Sequence, residues 1–266
     1  MTKTKLQDGT AIYCLRKPEA KMLDHHVDGY LQNGIEINDN DVVFDVGANI
    51  GVFGVRAIQK GQNVTVHCFE PIPDIADVLI NNAKTFGENR FYVHQCGVSS
   101  KNGEATFTYF PNTPALSTLH PEQWDENPGA FKDAVKGTMK NPPVGMKWMK
   151  LIPTVFSGAI AAYLVKGSKK VTCKLVPLSD IIEKENITKI DLLKIDCEGA
   201  EWDVLMGIRD EHWSLIKSMV IEVHDLNGRL NDMKMLLNEK GFTKQVAERE
   251  TGLEQTPMYN LFALRS

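Results

Sequence analysis

Val42-Val-Phe-Asp-Val-Gly-Ala-Asn-Ile-Gly-Val-Phe-Gly54 is the stretch whose reading decides the fold. A short apolar run ends on a carboxylate, Asp45, and passes straight into a turn carrying Gly47, Gly51 and Gly54. A helix pattern follows to about Lys60. Downstream, Val64-Thr-Val-His-Cys-Phe-Glu70 is a second apolar strand with an acid at its tip. Strand, glycine turn, helix and acid-tipped strand form a nucleotide-binding half-unit.

The details select the nucleotide. A pyrophosphate is met by G-x-G-x-x-G and a helix N-terminus. Here the spacing is Gly47-x-x-x-Gly51-x-x-Gly54, and Asp45 stands where a pyrophosphate would approach. Two like charges in a partly dry site cost several kcal/mol as an order of magnitude. That argues against the main alternative, an NAD-linked oxidoreductase. A cationic ligand fits better. S-adenosylmethionine carries an ammonium, a sulfonium and two ribose hydroxyls. Asp45 is expected to hold water or the ammonium end. Gly47, Asn49 and Gly51 allow close approach, and Glu70, followed by Pro71, accepts from the ribose. Gly97, within Gln95-Cys-Gly-Val-Ser-Ser100, falls where the adenine should pass.

The bulk numbers describe an ordinary globular chain. Its 266 residues are 42% hydrophobic and 24% charged, which allows one domain with a sizeable insertion. A net charge of −4 leaves no electrostatic footprint for nucleic acid. Five scattered cysteines without a C-x-x-C pair read as reduced thiols of a cytoplasmic protein. The apolar run Leu151–Val165 is shorter than the roughly 20 residues needed to span a bilayer. A buried helix or a lid is expected there, with a shallow dip into a membrane surface as an alternative.

Along the chain, residues 1–40 read as an N-terminal strand and helices, and residues 41–266 as the main domain. Strands at 42–46, 64–69 and 91–96 alternate with helices at 50–60 and 73–86, and a further strand covers 107–110. This order predicts an α/β fold with a parallel sheet. Residues 111–170 are proline-rich and predict an inserted, mostly helical cap. The sheet resumes at 171–176, 190–196 and 218–224, and an antiparallel pair at 242–246 and 259–264 closes it. His25 and His26, adjacent in a predicted helix, read as ordinary surface or capping groups.

Four motifs carry a family resemblance: Asp45-Val-Gly-Ala-Asn-Ile-Gly51, Phe69-Glu-Pro71, Leu193-Lys-Ile-Asp-Cys-Glu-Gly-Ala-Glu201 and Ile221-Glu-Val-His224. Together they resemble the FkbM family of methyltransferases. The resemblance covers residues 40–265 apart from 111–170. It implies a class I, Rossmann-like seven-stranded sheet and S-adenosylmethionine-dependent transfer, in many members to an oxygen of a natural product or sugar. A non-catalytic S-adenosylmethionine-binding protein is the remaining rival.

An acceptor hydroxyl must be placed in line with the S–CH3 bond, about 3 Å away, and relieved of its proton. Asp196 ends its strand beside Asp45 and is expected to work at both cofactor and methyl-transfer sites. His224 is the preferred general base, with Glu222 on the same strand face. Asp196, Glu222 and His224 would also suit a divalent cation such as Mg2+. In the cap, Ser117, Thr118 and His120, together with Phe156 and Tyr163, are expected to line a pocket for a small or carrier-bound acceptor. A contact between two copies of the chain is the alternative use of that segment.

Overall fold

The structure, a computed structural model, describes residues 1–87, 89–119, 128–140, 142, 147–225, 228–249 and 258–265. Strands β1 (Thr2–Lys5) and β2 (Ala11–Cys14) form an antiparallel hairpin, of which only the second strand is foreseen in the sequence. Helix α1 (Lys17–Tyr30) follows, with Pro18 in its first turn where a missing N–H costs nothing. Then come β3 (Val42–Val46), α2 (Val52–Lys60), β4 (Thr65–Phe69), α3 (Pro73–Phe86) and β5 (Phe91–His94). Short β6 (Gly97–Val98) precedes β7 (Gly103–Tyr109).

An insertion leaves at Tyr109 and returns at Lys169. It holds a 3-10 turn at Pro114–Leu116, α4 (Pro128–Lys140), 3-10 turns at Lys147–Leu151 and Thr154–Phe156, and α5 (Ser157–Val165). After it come β8 (Lys169–Val176), α6 (Leu178–Lys184), β9 (Leu192–Ile195), α7 (Glu201–Met206), β10 (Ser218–His224), α8 (Arg229–Glu239), β11 (Lys244–Arg249) and β12 (Met258–Leu264).

Seven strands make the main sheet, in the order β11-β12-β10-β9-β3-β4-β5. β5, β4, β3, β9 and β10 run parallel, and β12 is antiparallel to both β10 and β11. The central strands are apolar almost throughout because helices cover both faces. Val43 on β3 joins one apolar cluster, with α1, α2 and α3. Phe44 and Val46 join the other, with α6, α7 and α8. The chain steps from β3 to one side and later returns to β9 on the other, so β3 and β9 flank the topological switch point.

One expectation is corrected. The strands at 103–109 and 169–176 do not extend the main sheet; with β6 they form a separate three-stranded sheet in the order β6-β8-β7. Their apolar pattern says that they are half-buried strands but not which edge they join. In the N-terminal segment, Leu6, Ile12, Cys14, Val27, Tyr30, Ile35 and Ile37 belong to the same apolar cluster as β3 and α2. The insertion has its own small core of Val135, Met139, Met149 and Ala161, bordered by Leu116, Ile152, Ile160 and Leu164. All five cysteines are free thiols. Among the described residues, no helix is long and apolar enough to cross a membrane.

Candidate active site

The carboxyl ends of β3, β4, β9 and β10 converge beside the switch point. Asp45 on β3 is fully buried and pairs in register with Lys194 on β9. Lys194 Nζ lies 3.1 Å from Asp45 Oδ1 and 3.3 Å from Asp196 Oδ2, and it donates to the carbonyl of Gly47 at 3.1 Å. Burial alone would lower the lysine pKa, but the charges of Asp196 and Asp45 outweigh it and raise it, so Lys194 stays a cation. Asp45, expected from the sequence to hold water or the ammonium end, is thus paired with a buried cation. Its charge is matched by Lys194, which also holds the turn through the Gly47 carbonyl.

That turn needs its glycine. Gly47 has φ +77°, and a Cβ there would sit 1.7 Å from the Asp196 carbonyl oxygen. The first turn of the fold is thereby pressed against the end of β9. Gly51, in the left-handed region, precedes the first residue of α2, while the Asn49 side chain accepts from the Ile50 amide at 2.8 Å.

Glu70 follows β4 with its carboxyl group almost wholly buried. Burial pushes its pKa up to about 7, against amide hydrogen bonds from Ile72 and Asn49 that favour the anion. The Ile72 amide donates to Oε1 at 2.9 Å. Pro71 comes next, and Gly97 packs near it, a Cβ there lying 2.7 Å from Leu175 and 3.7 Å from Pro71.

Helix α1 contributes two groups that the sequence reading missed. The Tyr30 hydroxyl lies 3.1 Å from Asp196 Oδ2 and 3.1 Å from Glu222 Oε2, donating its one proton to either carboxylate. His26, one turn earlier, is close enough for the Asp196 charge to act on it, although burial lowers its pKa. His26 and Tyr30 share one helix face at i and i+4, which corrects the reading of His26 as an ordinary surface group.

The general-base reading of His224 is also corrected. Nε2 is 3.6 Å from Glu198 Oε2, and Nδ1 is 3.2 Å from Glu201 Oε1. Burial would lower the imidazole pKa, but hydrogen bonds to Glu198 and Glu201 and their charges raise it to about 11. A ring already protonated on both nitrogens cannot take a proton. Glu201 additionally accepts from the Cys197 and Gly199 amides at 3.3 and 2.8 Å, fixing the loop after β9. Glu198, in the left-handed region at φ +51°, has its carboxyl pKa raised by burial, with the His224 hydrogen bond opposing.

Asp196, Glu222 and His224, expected as a metal set, are not gathered around one point in this structure. A hydroxyl bridges the first two, and the third is taken by two other carboxylates. Among the described residues, only Glu183, Glu211 and His212 bring three ligand atoms within 4.8 Å of one another. There Arg209 pairs with both glutamates, so a cation is already in place.

In the insertion, Ser117 Oγ accepts from the Phe110 amide at 3.1 Å, and Thr118 Oγ1 donates to the Glu198 carbonyl at 3.0 Å. These hydroxyls build the loop and tie it to the strand ends. Phe156 and Tyr163 stand 54% and 56% exposed. His120 lies outside the described residues.

A doubly wound sheet in the order β5-β4-β3-β9-β10-β12-β11, with β12 antiparallel, an acid at the tip of β4 and a glycine turn at the switch point, defines a class I methyltransferase. The chain belongs to the FkbM family: the methyltransferase FkbM domain matches residues 45–244. It is similar to the 31-O-demethyl-FK506 methyltransferase FkbM of Streptomyces tacrolimicus, at 33% identity over 266 residues covering 98% of this chain and 96% of that one. Methyltransferase 1 of Beauveria bassiana is 31% identical over 229 residues, covering 86% and 82%. The crystal structure of methyltransferase FkbM from Methylobacillus flagellatus shares the fold with a TM-score of 0.51 at 16% identity. The match covers 88% of this chain and 46% of that longer one. The protein is a methyltransferase.

Proposed function

We propose that the protein is an S-adenosylmethionine-dependent O-methyltransferase that tailors a small or carrier-bound natural product. The observation that carries this reading is Glu70, a buried carboxyl at the switch point with backbone amides fixing it. It faces the glycine turn and suits a pair of ribose hydroxyls. The O-methylating relative of Streptomyces tacrolimicus supports the acceptor class.

When bound, S-adenosylmethionine supplies a methyl group on a sulfonium, which needs no further activation. The chain's own residues would orient both partners. Glu70 and the backbone at Gly47 and Asn49 would hold the nucleoside, with Gly97 beside it. Asp196, steadied by Lys194 and Tyr30, would border the methyl-transfer position. Glu198 Oε2 is the group best suited to take the acceptor proton: burial makes it more basic, and the charged His224 ring holds it in place. His224 then serves as a fixed positive charge.

Transfer of labelled methyl to candidate acceptors tests the reading. Glu198→Gln should lower kcat about 10²-fold, the usual scale for a lost base, with S-adenosylmethionine affinity unchanged. An unaltered kcat would overturn the role given to Glu198.

A further inference from the structure

The insertion carries an exposed apolar surface. From Leu151 to Val165 there is no charged residue, yet much of this run lies in solvent. Leu151 is 85% and Val155 80% exposed. Ser157 and Ala161 turn one side of α5 into the insertion's small core, while Phe156, Ala159 and Tyr163 share an opposite, exposed face at i, i+3 and i+7. Pro153 and Ala162 are exposed beside them. A helix apolar on all sides belongs inside a protein or in lipid, and here one side is uncovered. Nine residues are too few to cross a bilayer.

Charge surrounds this surface. Residues 128–174 hold nine lysines and one acid, Asp133, in a chain whose net charge is −4. Lys132, Lys136, Lys140, Lys150, Lys166, Lys169 and Lys170 are all exposed. Lys132 lies across α5, its Cε 3.7 Å from the position of a Cβ on Gly158. An apolar platform with lysines at both ends of the run and alongside it is the pattern of an interfacial element. Apolar side chains enter the acyl boundary while cations meet headgroups.

We propose that this face docks on an anionic lipid surface. Leu151, Val155, Phe156 and Tyr163 would enter the headgroup–acyl boundary, and Lys150, Lys166, Lys169 and Lys170 would contact lipid phosphates. An acidic protein partner fits less well, because the exposed run offers few polar side chains of its own to pair across an interface.

Co-sedimentation of the full chain with vesicles tests this, using phosphatidylcholine alone and phosphatidylcholine mixed with phosphatidylglycerol. Binding is expected to the mixed vesicles only and to weaken at high salt. The double variant Leu151→Ser/Val155→Ser should bind about tenfold more weakly, as should Lys150→Glu/Lys166→Glu. The exposure of all four residues keeps these variants folded, and S-adenosylmethionine affinity, measured in parallel, should be unchanged. Absence of binding to mixed vesicles, or binding that neither variant weakens, would overturn the proposal. So would a self-association that the serine variant abolishes, or capture of an acidic carrier protein without any lipid binding.

Discussion

Lys194 sits within a strand whose neighbours on both sides, Leu193 and Ile195, are fully buried. Such a lysine keeps its charge only if carboxylates come to it, and Asp45 and Asp196 do. Removing one partner of a buried pair strands the other, at about 3–5 kcal/mol. Lys194→Ala should therefore lower unfolding stability by that amount. Asp45→Asn/Lys194→Met should recover most of it, read as a coupling in a double-mutant cycle; additive losses would contradict the pairing. Leu-Leu-Lys-Ile-Asp contains the signal for this pair, since a lysine in an otherwise apolar strand requires a partner. Tyr30 and His26 gave no such signal, because their helix meets the site only through tertiary packing.

Glu70 yields a second expectation at the same scale. With its pKa raised to about 7 by burial, the carboxyl is mostly neutral at pH 6 and mostly anionic at pH 8. An anion is the stronger acceptor for hydroxyl donors. S-adenosylmethionine affinity should accordingly rise with pH through about 7, and calorimetry across that range should show a flatter profile for Glu70→Gln. A pH-independent affinity in the unmodified protein would remove Glu70 from the binding site.

Among the elements, the join between α1 and the insertion has a protonation state of its own. Glu19 on α1 accepts from the Ala115 amide. Burial raises its pKa from 4.5 to about 7, against that hydrogen bond and the nearby Arg16 charge. Because the folded-state value is the higher one, the stabilisation is complete below pH 4.5. It is lost as pH rises from there to about 7, on the order of 3 kcal/mol in all. Thermal melts of Glu19→Gln should gain on the unmodified protein across this window and hold a constant lead above it. A lead that does not change with pH would leave Glu19 without a titration in this range.

The elements also differ in how openly the sequence declares them. β3, β4, β9 and β10 are legible because burial on both faces makes each a continuous apolar run. β7 and β8 are legible as strands but not as members of a separate sheet, since alternation along a strand records which face is buried and nothing about its neighbour. His224 is visible as a candidate, but its protonation depends on Glu198, in the loop after β9, and Glu201, at the start of α7.

For the whole molecule, the family match begins at residue 45, yet the first 40 residues share its core and place Tyr30 against Asp196. Deleting residues 1–36 should expose part of that cluster and leave two carboxylates without their shared hydroxyl. Loss of cooperative unfolding and of S-adenosylmethionine binding is expected in calorimetry. A shortened chain that melts sharply and binds normally would show that the segment is dispensable.

Tyr109 and Lys169 are register partners where the insertion departs and returns. Strand pairing has already brought the two ends together, so the closure entropy of what lies between them grows only with the logarithm of its length. Such a segment behaves as an exchangeable cassette. A relative could receive a longer, shorter or differently shaped piece across this doorway while β3, β4 and β9 kept their spacing. The insertion and the turn at Gly47 can then diversify at separate rates, one by replacement of whole segments and the other under the close constraint of a glycine pressed on a carbonyl.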